Sequence, residues 1–158
     1  MTDTTKSATP WHLWVVGVIA VLWNAYGGYD YIMSVTEGAT YMAAAGMTPE
    51  QIAYYDAMPV WMMSVWAIGV WGGVAGSILL LLRSKLAFPV FVVSLAAFLF
   101  SLFCSYVLND GGKIMGFLMV DGEKVASPLV FIMQGVVGIG CLFFVWYSRM
   151  AMKSGVLR

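Results

Sequence analysis

Four runs of apolar residues, each close to the length that a bilayer core demands, constrain this chain more than any motif in it. They lie at about Trp11 to Val35, Pro59 to Leu82, Leu86 to Leu108 and Pro128 to Tyr147. About 20 residues of α-helix cross the hydrocarbon of a membrane. Helices suit that medium because every peptide group is paired within its own segment. The four runs use more than half of the 158 residues, so the expected fold is all-α: one domain, a bundle of four transmembrane helices. Only RSKL separates the second run from the third, which makes those two antiparallel neighbours. Only 10% of residues are charged, against about 25% in soluble domains. The formal net charge is zero, so no basic field draws nucleic acid to the chain. The opening MTDTTKSATP is polar, and the run after it is too long for the apolar region of a signal peptide. It is read as a retained first helix.

Charge orients the bundle. Lys6, Arg83, Lys85, Arg149, Lys153 and Arg158 fall on one side of the expected spans; only Lys113 and Lys124 fall on the other, beside Glu37, Glu50, Asp56, Asp110, Asp121 and Glu123. The excess of Lys and Arg marks the cytoplasmic side. Both termini and the RSK turn are therefore expected inside, and both long connectors outside. Trp11, Trp14, Trp146 and Tyr147 then form an inner aromatic belt, with Trp61 and Tyr106 in the outer one.

The two outer connectors carry different signals. In TPEQIAYYDAMP, Thr48 followed by Pro49 and Gln51 has the form of a capping box, and Pro59 ends the helix it opens. Ile52, Tyr55 and Met58 recur at helical spacing, which predicts a short amphipathic helix on the outer surface. The second connector, GKIMGFLMVDGEKVAS, places Asp121-Gly122 between two β-compatible runs and predicts a small hairpin carrying Met115 and Met119 at its exposed surface. An isolated hairpin is marginal in water, so it is expected to rest on the first connector or on a partner.

Lipid offers no hydrophobic drive between helices, so small residues and polar contacts must bring them together. Each run has such a face: Gly17, Ala20, Asn24, Gly28 and Tyr31 in the first; Gly69, Gly72, Gly73, Gly76 and Ser77 in the second; Ser94, Ala97, Ser101, Cys104 and Ser105 in the third; Gly135, Gly138 and Gly140 in the fourth. These faces fit a compact bundle and equally a homo-oligomer or a partner membrane subunit. Cys104 and Cys141, the only cysteines, are expected as free thiols in the interior.

The first run contains a polar interruption, WNAYGGYDY. Trp23, Tyr26 and Asp30 share one helical face, and Asn24, Gly28 and Tyr31 the next. An ionisable group within a span avoids lipid and faces the bundle or a wet cavity. Trp23, Asn24, Tyr26 and Asp30, joined by Gln134 of the fourth run, are the candidate substrate-binding residues, since aromatic faces with an amide and a carboxylate suit a small polar solute such as a polyol or sugar. The competing reading makes Asn24 and Gln134 interhelical hydrogen-bonding residues. His12 is the only histidine, and no nucleophile–His–acid set, phosphate-binding loop or metal-ligand cluster is visible. The chain is therefore read as a non-enzyme without metal or cofactor.

The segments WHLWVV, LWNAYGGYDYIMS, MTPEQIAYYDAMPVW and WAIGVWGGVAGSILLLLRSKLAFPVF together resemble a family of small four-span proteins of proteobacterial inner membranes, whose members carry the label "sugar transporter". The resemblance is closest from Trp11 to Phe91 and weakest from Lys113 to Ala126. It implies an inner-membrane location, four spans and transport of sugar-class solutes, and it brings no assigned binding residues. The chain lacks the Pro-Gln motif of the three-span sugar exporters. The function expected on these grounds is a small-solute transporter working as a homo-oligomer, with an accessory or scaffold subunit of a larger membrane complex as the alternative.

Overall fold

The computed structural model describes residues 9–158; Lys6, one of the cations used above, lies outside them. The helices are α1 (Trp11–Thr36), α2 (Ala39–Ala44), α3 (Pro49–Asp56), α4 (Val60–Leu81), α5 (Ala87–Phe103), α6 (Gly111–Ile114) and α7 (Leu129–Lys153), with strands β1 (Phe117–Val120) and β2 (Glu123–Ala126) before α7. A single π-helical turn, Cys104–Leu108, continues α5. Pro10, Pro59 and Pro128 sit at the N-caps of α1, α4 and α7, where a missing N–H removes no helical bond. Among the described residues, α4, the length Ala87–Leu108 and α7 are long and apolar enough to cross a membrane. α1 has the length, at 26 residues, but WNAYGGYDY dilutes its apolar character. α7 continues six residues beyond the expected Tyr147, because Arg149 and Lys153 on a final turn do not interrupt helical bonding.

α4 is the centre of the bundle and its glycines divide between two neighbours. A Cβ on Gly69 or Gly72 would meet Ala97 or Ser94 of α5, and one on Gly76 would meet the ring of Phe91. On the other side Gly73 faces Asn24 of α1 so closely that a Cβ there would occupy the place of the amide oxygen. Ser94 Oγ donates to the Gly69 carbonyl (2.5 Å), made reachable by the close approach of the two backbones. α7 packs on α5 and reaches α1 through side chains: Trp23 lies over Gly140, and His12 Nδ1 meets Tyr147 Oη at 2.6 Å. Tyr147 is thus turned into the bundle, 4% exposed, rather than lying in the interfacial belt.

The two ends of the bundle are built differently. At the end that holds the termini, Leu13, Leu80, Ala87, Phe91, Phe144, Ala151, Val156 and Leu157 form a continuous buried core. Phe91 stacks on Phe144 with ring centroids 5.6 Å apart. The chain after α7 folds back: Arg158 N–H donates to the Arg83 carbonyl (2.6 Å), and Lys85 N–H donates to the Arg158 carbonyl (3.0 Å).

At the other end, the hairpin end, the connectors form a cap. β1 and β2 pair antiparallel in the register Phe117 with Ala126, and the turn residues Asp121 and Gly122 both have positive φ, 51° and 83°, as a type I′ turn requires. The capping box of α3 is present in both directions between Thr48 and Gln51. Gln51 does more than cap. Its amide nitrogen donates to the carbonyls of Ile114 (3.0 Å) and Phe117 (2.9 Å), so a fully buried side chain ties α3 to the chain entering β1. Met119 N–H donates to the Gly46 carbonyl (2.8 Å), and Lys124 pairs with Glu50 at 3.1 Å. The hairpin therefore rests on the first connector. α3 docks through Gln51 rather than through Ile52, Tyr55 and Met58 alone, and Met115 is buried at 3% exposure rather than displayed on the surface.

Candidate functional site

The five residues singled out in the sequence take separate positions. Asn24 faces α4: its amide nitrogen donates to Ser77 Oγ (3.0 Å) and to the Ala20 carbonyl (2.9 Å). Ser77 Oγ in turn donates to the Gly73 carbonyl (2.7 Å), closing a buried polar link between α1 and α4. Such interhelical bonds are worth about 0.6–2 kcal/mol. Trp23 faces α7, Tyr26 is 67% exposed, and Asp30 accepts from Tyr41 Oη at 2.8 Å. Gln134 on α7 accepts from Tyr106 Oη of the π-helical turn. The glycines of the stretch have distinct surroundings: Gly28 is seated against Val74 and Trp71, while nothing lies within 4 Å of a Cβ on Gly27.

A cavity of about 210 Å³ opens nearby, at the hairpin end, between the last turn of α1, α2, α3 and the start of α4. Ser34, Met42, Tyr55, Asp56, Met63 and Trp66 are among its walls. None of the five sequence candidates lines it, yet Tyr31 of WNAYGGYDY touches one of its walls, and Asp30, itself one of the five, holds α2 beside it. Tyr31 meets Trp66 edge-on with centroids 4.9 Å apart, and Tyr55 tilts against the same indole at 6.1 Å. The Asp30–Tyr41 bond fixes α2, which supplies Met42. Gly38, at φ +53°, makes the reversal between α1 and α2 that leaves this space.

Two phenols of the cap, Tyr41 and Tyr55, are pushed upward in pKa. Burial pushes Tyr55 up to about 12, reinforced by Tyr54, Tyr106 and Asp30. The hydrogen bond to Asp30 raises Tyr41 to about 12, with burial adding to it. Glu50 is lowered to about 2, first by its own backbone N–H at the start of α3, then by Lys124 and Thr48. Tyr54 Oη and Ser101 Oγ are buried without a partner among the described residues.

The cavity brings Trp66 and Tyr55 together with Asp56 and Ser34 in one lining, a mixture of aromatic and polar residue types of the kind found in small-molecule pockets. Sequence reasoning missed Trp66 and Asp56: Trp66 reads as an ordinary span residue and Asp56 as an ordinary connector charge, and it is the turn from α3 into α4 that sets them on one cavity. No family model, curated protein or solved structure matches the chain.

Proposed function

We propose that this chain is a four-span protein of the bacterial inner membrane, with both termini in the cytoplasm, that carries a small polar solute of the sugar class and works as a homo-oligomer. The observation that carries the reading is the asymmetry of the bundle: an aromatic and acidic cavity at the hairpin end, and a continuous apolar plug at the terminal end. The asymmetry supports a carrier whose site faces the outside.

α1 supplies the fourth span. Its 26 residues reach about 39 Å, and the polar groups of Asn24 and Asp30 have protein partners, which removes most of the cost of placing them in a membrane. Arg83, Lys85, Arg149, Lys153 and Arg158 gather at the terminal end, and no Asp or Glu side chain joins them among the described residues. This charge bias supports a cytoplasmic position for that end. The class of solute agrees with the family that the sequence resembles.

The test uses purified protein in liposomes, with sugar-dependent change in tryptophan emission that Trp66→Phe should remove, and uptake of labelled hexoses and polyols. The expected result is saturable uptake that Trp66→Ala or Asp56→Asn weakens about tenfold or more. Uptake equal to that of empty liposomes, with no change in emission for any sugar or polyol, would overturn the reading.

A second reading, an accessory subunit of a larger membrane complex, is favoured by α7. Only 6% of its membrane-length stretch is buried within the chain, against 22% for α4 and for Ala87–Leu108. Copurification of a stoichiometric partner from native membranes would select it.

A further inference from the structure

We propose that α2 is a lid over the cavity at the hairpin end, latched in its closed position by the hydrogen bond from Tyr41 to Asp30; as a device for a solute it rests on that cavity being the binding site. α2 has six residues, Ala39–Ala44, and one of them reaches well inward. Met42 is 6% exposed and forms part of the cavity wall, while Ala39, Thr40, Ala43 and Ala44 are exposed. Tyr41 Oη donates to Asp30 Oδ1 of α1 at 2.8 Å. Among the described residues this is the one hydrogen bond that ties 39–45 to another element; the others close within 37–47. Neither Tyr41 nor Asp30 lines the cavity, so the latch can break without disturbing the groups that would touch a solute.

Both ends of α2 turn on glycine. Gly38 before it has φ 53° and ψ −126°, a backbone that residues with a Cβ rarely adopt, and a Cβ there would meet nothing within 4 Å. Gly46 after it has φ 83°. The two glycines hang from fixed points. Glu37 N–H donates to the Met33 carbonyl of α1 (2.9 Å), and the Gly46 carbonyl accepts from Met119 N–H of β1 (2.8 Å). α3 is fastened separately, by Gln51 to the chain entering β1. A short helix between two such hinges can swing while α1, α3 and the hairpin stay in place, a smaller opening than release of the whole cap. It exposes one methionine and breaks one hydrogen bond to a carboxylate. Elements of low local stability on a firmer frame are those from which lids are drawn. Outward movement takes Met42 out of the wall, and the cavity opens on the α2 side.

The experiment is the rate at which a polar methanethiosulfonate reagent labels Met42→Cys in the full chain in mild detergent, with Cys104→Ala and Cys141→Ala removing the native thiols. Tyr41→Phe keeps the ring and removes the latch, and is expected to raise the rate about fivefold or more. Asp30→Ala is expected to do the same, and the two together no more than either alone, because they cut one bond. Met115→Cys, at a position 3% exposed at the entry to the hairpin, is expected to label at an unchanged rate. Where Met42→Cys itself loosens the packing, amide exchange in the Tyr41→Phe chain reports the same opening: it should quicken in Ala39–Ala44 and not from Ile114 to Ala126. Unchanged labelling at Met42→Cys with unchanged exchange in α2 after loss of the latch overturns the proposal, and so does equal acceleration at Met115→Cys. Neither readout contains a solute, so failure of the transport reading and failure of the lid are told apart.

Discussion

The hairpin end and the terminal end of this bundle solve one problem, closing four helices, by opposite means. The terminal end uses apolar volume: Leu13, Leu80 and Leu157 are at most 1% exposed, and the last residues seal them. The hairpin end uses directed polar bonds from few side chains, chiefly Gln51 and Thr48, and leaves a space open between α1, α2, α3 and α4. Apolar packing is undirected and difficult to open without exposing area to water. A cap held by a handful of hydrogen bonds can release as a unit while the plug stays shut. The contrast teaches where motion belongs in this molecule.

The largest effect should come from the seam that both ends share. Gly73→Val puts a branched side chain where the Asn24 amide sits and unpairs it, so we expect a loss of about 3 kcal/mol or more, seen as a lowered thermal midpoint in detergent. Gly135→Val, with nothing within 4 Å, is the control; equal damage from both would mean that Gly73 is not a close contact. Gln51→Leu comes next. It leaves the Ile114 and Phe117 carbonyls without their donor, at about 2–3 kcal/mol. Amide exchange should quicken from Ile114 to Ala126 and not around Phe91 and Phe144. Quickening at both ends would break the comparison by showing a single cooperative unit.

Asn24→Leu should cost about 1 kcal/mol, and Ser77→Ala should cost less in that background than alone, because the bond they share is already gone. Strict additivity in that cycle would deny the link. The smallest effect is that of pH. Glu50 titrates near 4.5 when free and about 2 in the fold, so its contribution is complete above pH 4.5 and is lost as pH falls toward 2. Being fully exposed, it should alter only hairpin exchange, and Lys124→Gln should flatten that dependence.

Much of this architecture was legible in the residues. Apolar length located the four long helices, the Thr48–Gln51 spacing located α3, and Asp121-Gly122 located the hairpin turn, because each signal is local. The stripe Gly17, Ala20, Asn24, Gly28 was readable as a packing face; that it meets α4 through Gly73 and Ser77 was not. The cavity was illegible for the same reason. Its walls come from four elements, and α2, six residues without a cap signal, was not expected at all. The second role of Gln51 escaped because a capping box already accounts for that residue. The π-helical turn has no sequence rule: it absorbs an extra residue where Gly111 must lie against the Ser105 carbonyl.

The Asn24–Ser77 bond also sets a clock on biogenesis. Its two residues are 53 positions apart, and ribosomes add roughly 5–20 residues per second. The amide of α1 therefore waits roughly 3–10 s after it is made before its acceptor exists. During that interval the amide has only the Ala20 carbonyl of its own helix as a partner, and the link to α4 is made when the second helix arrives. Slow codons between the two positions would lengthen the wait without altering the finished protein.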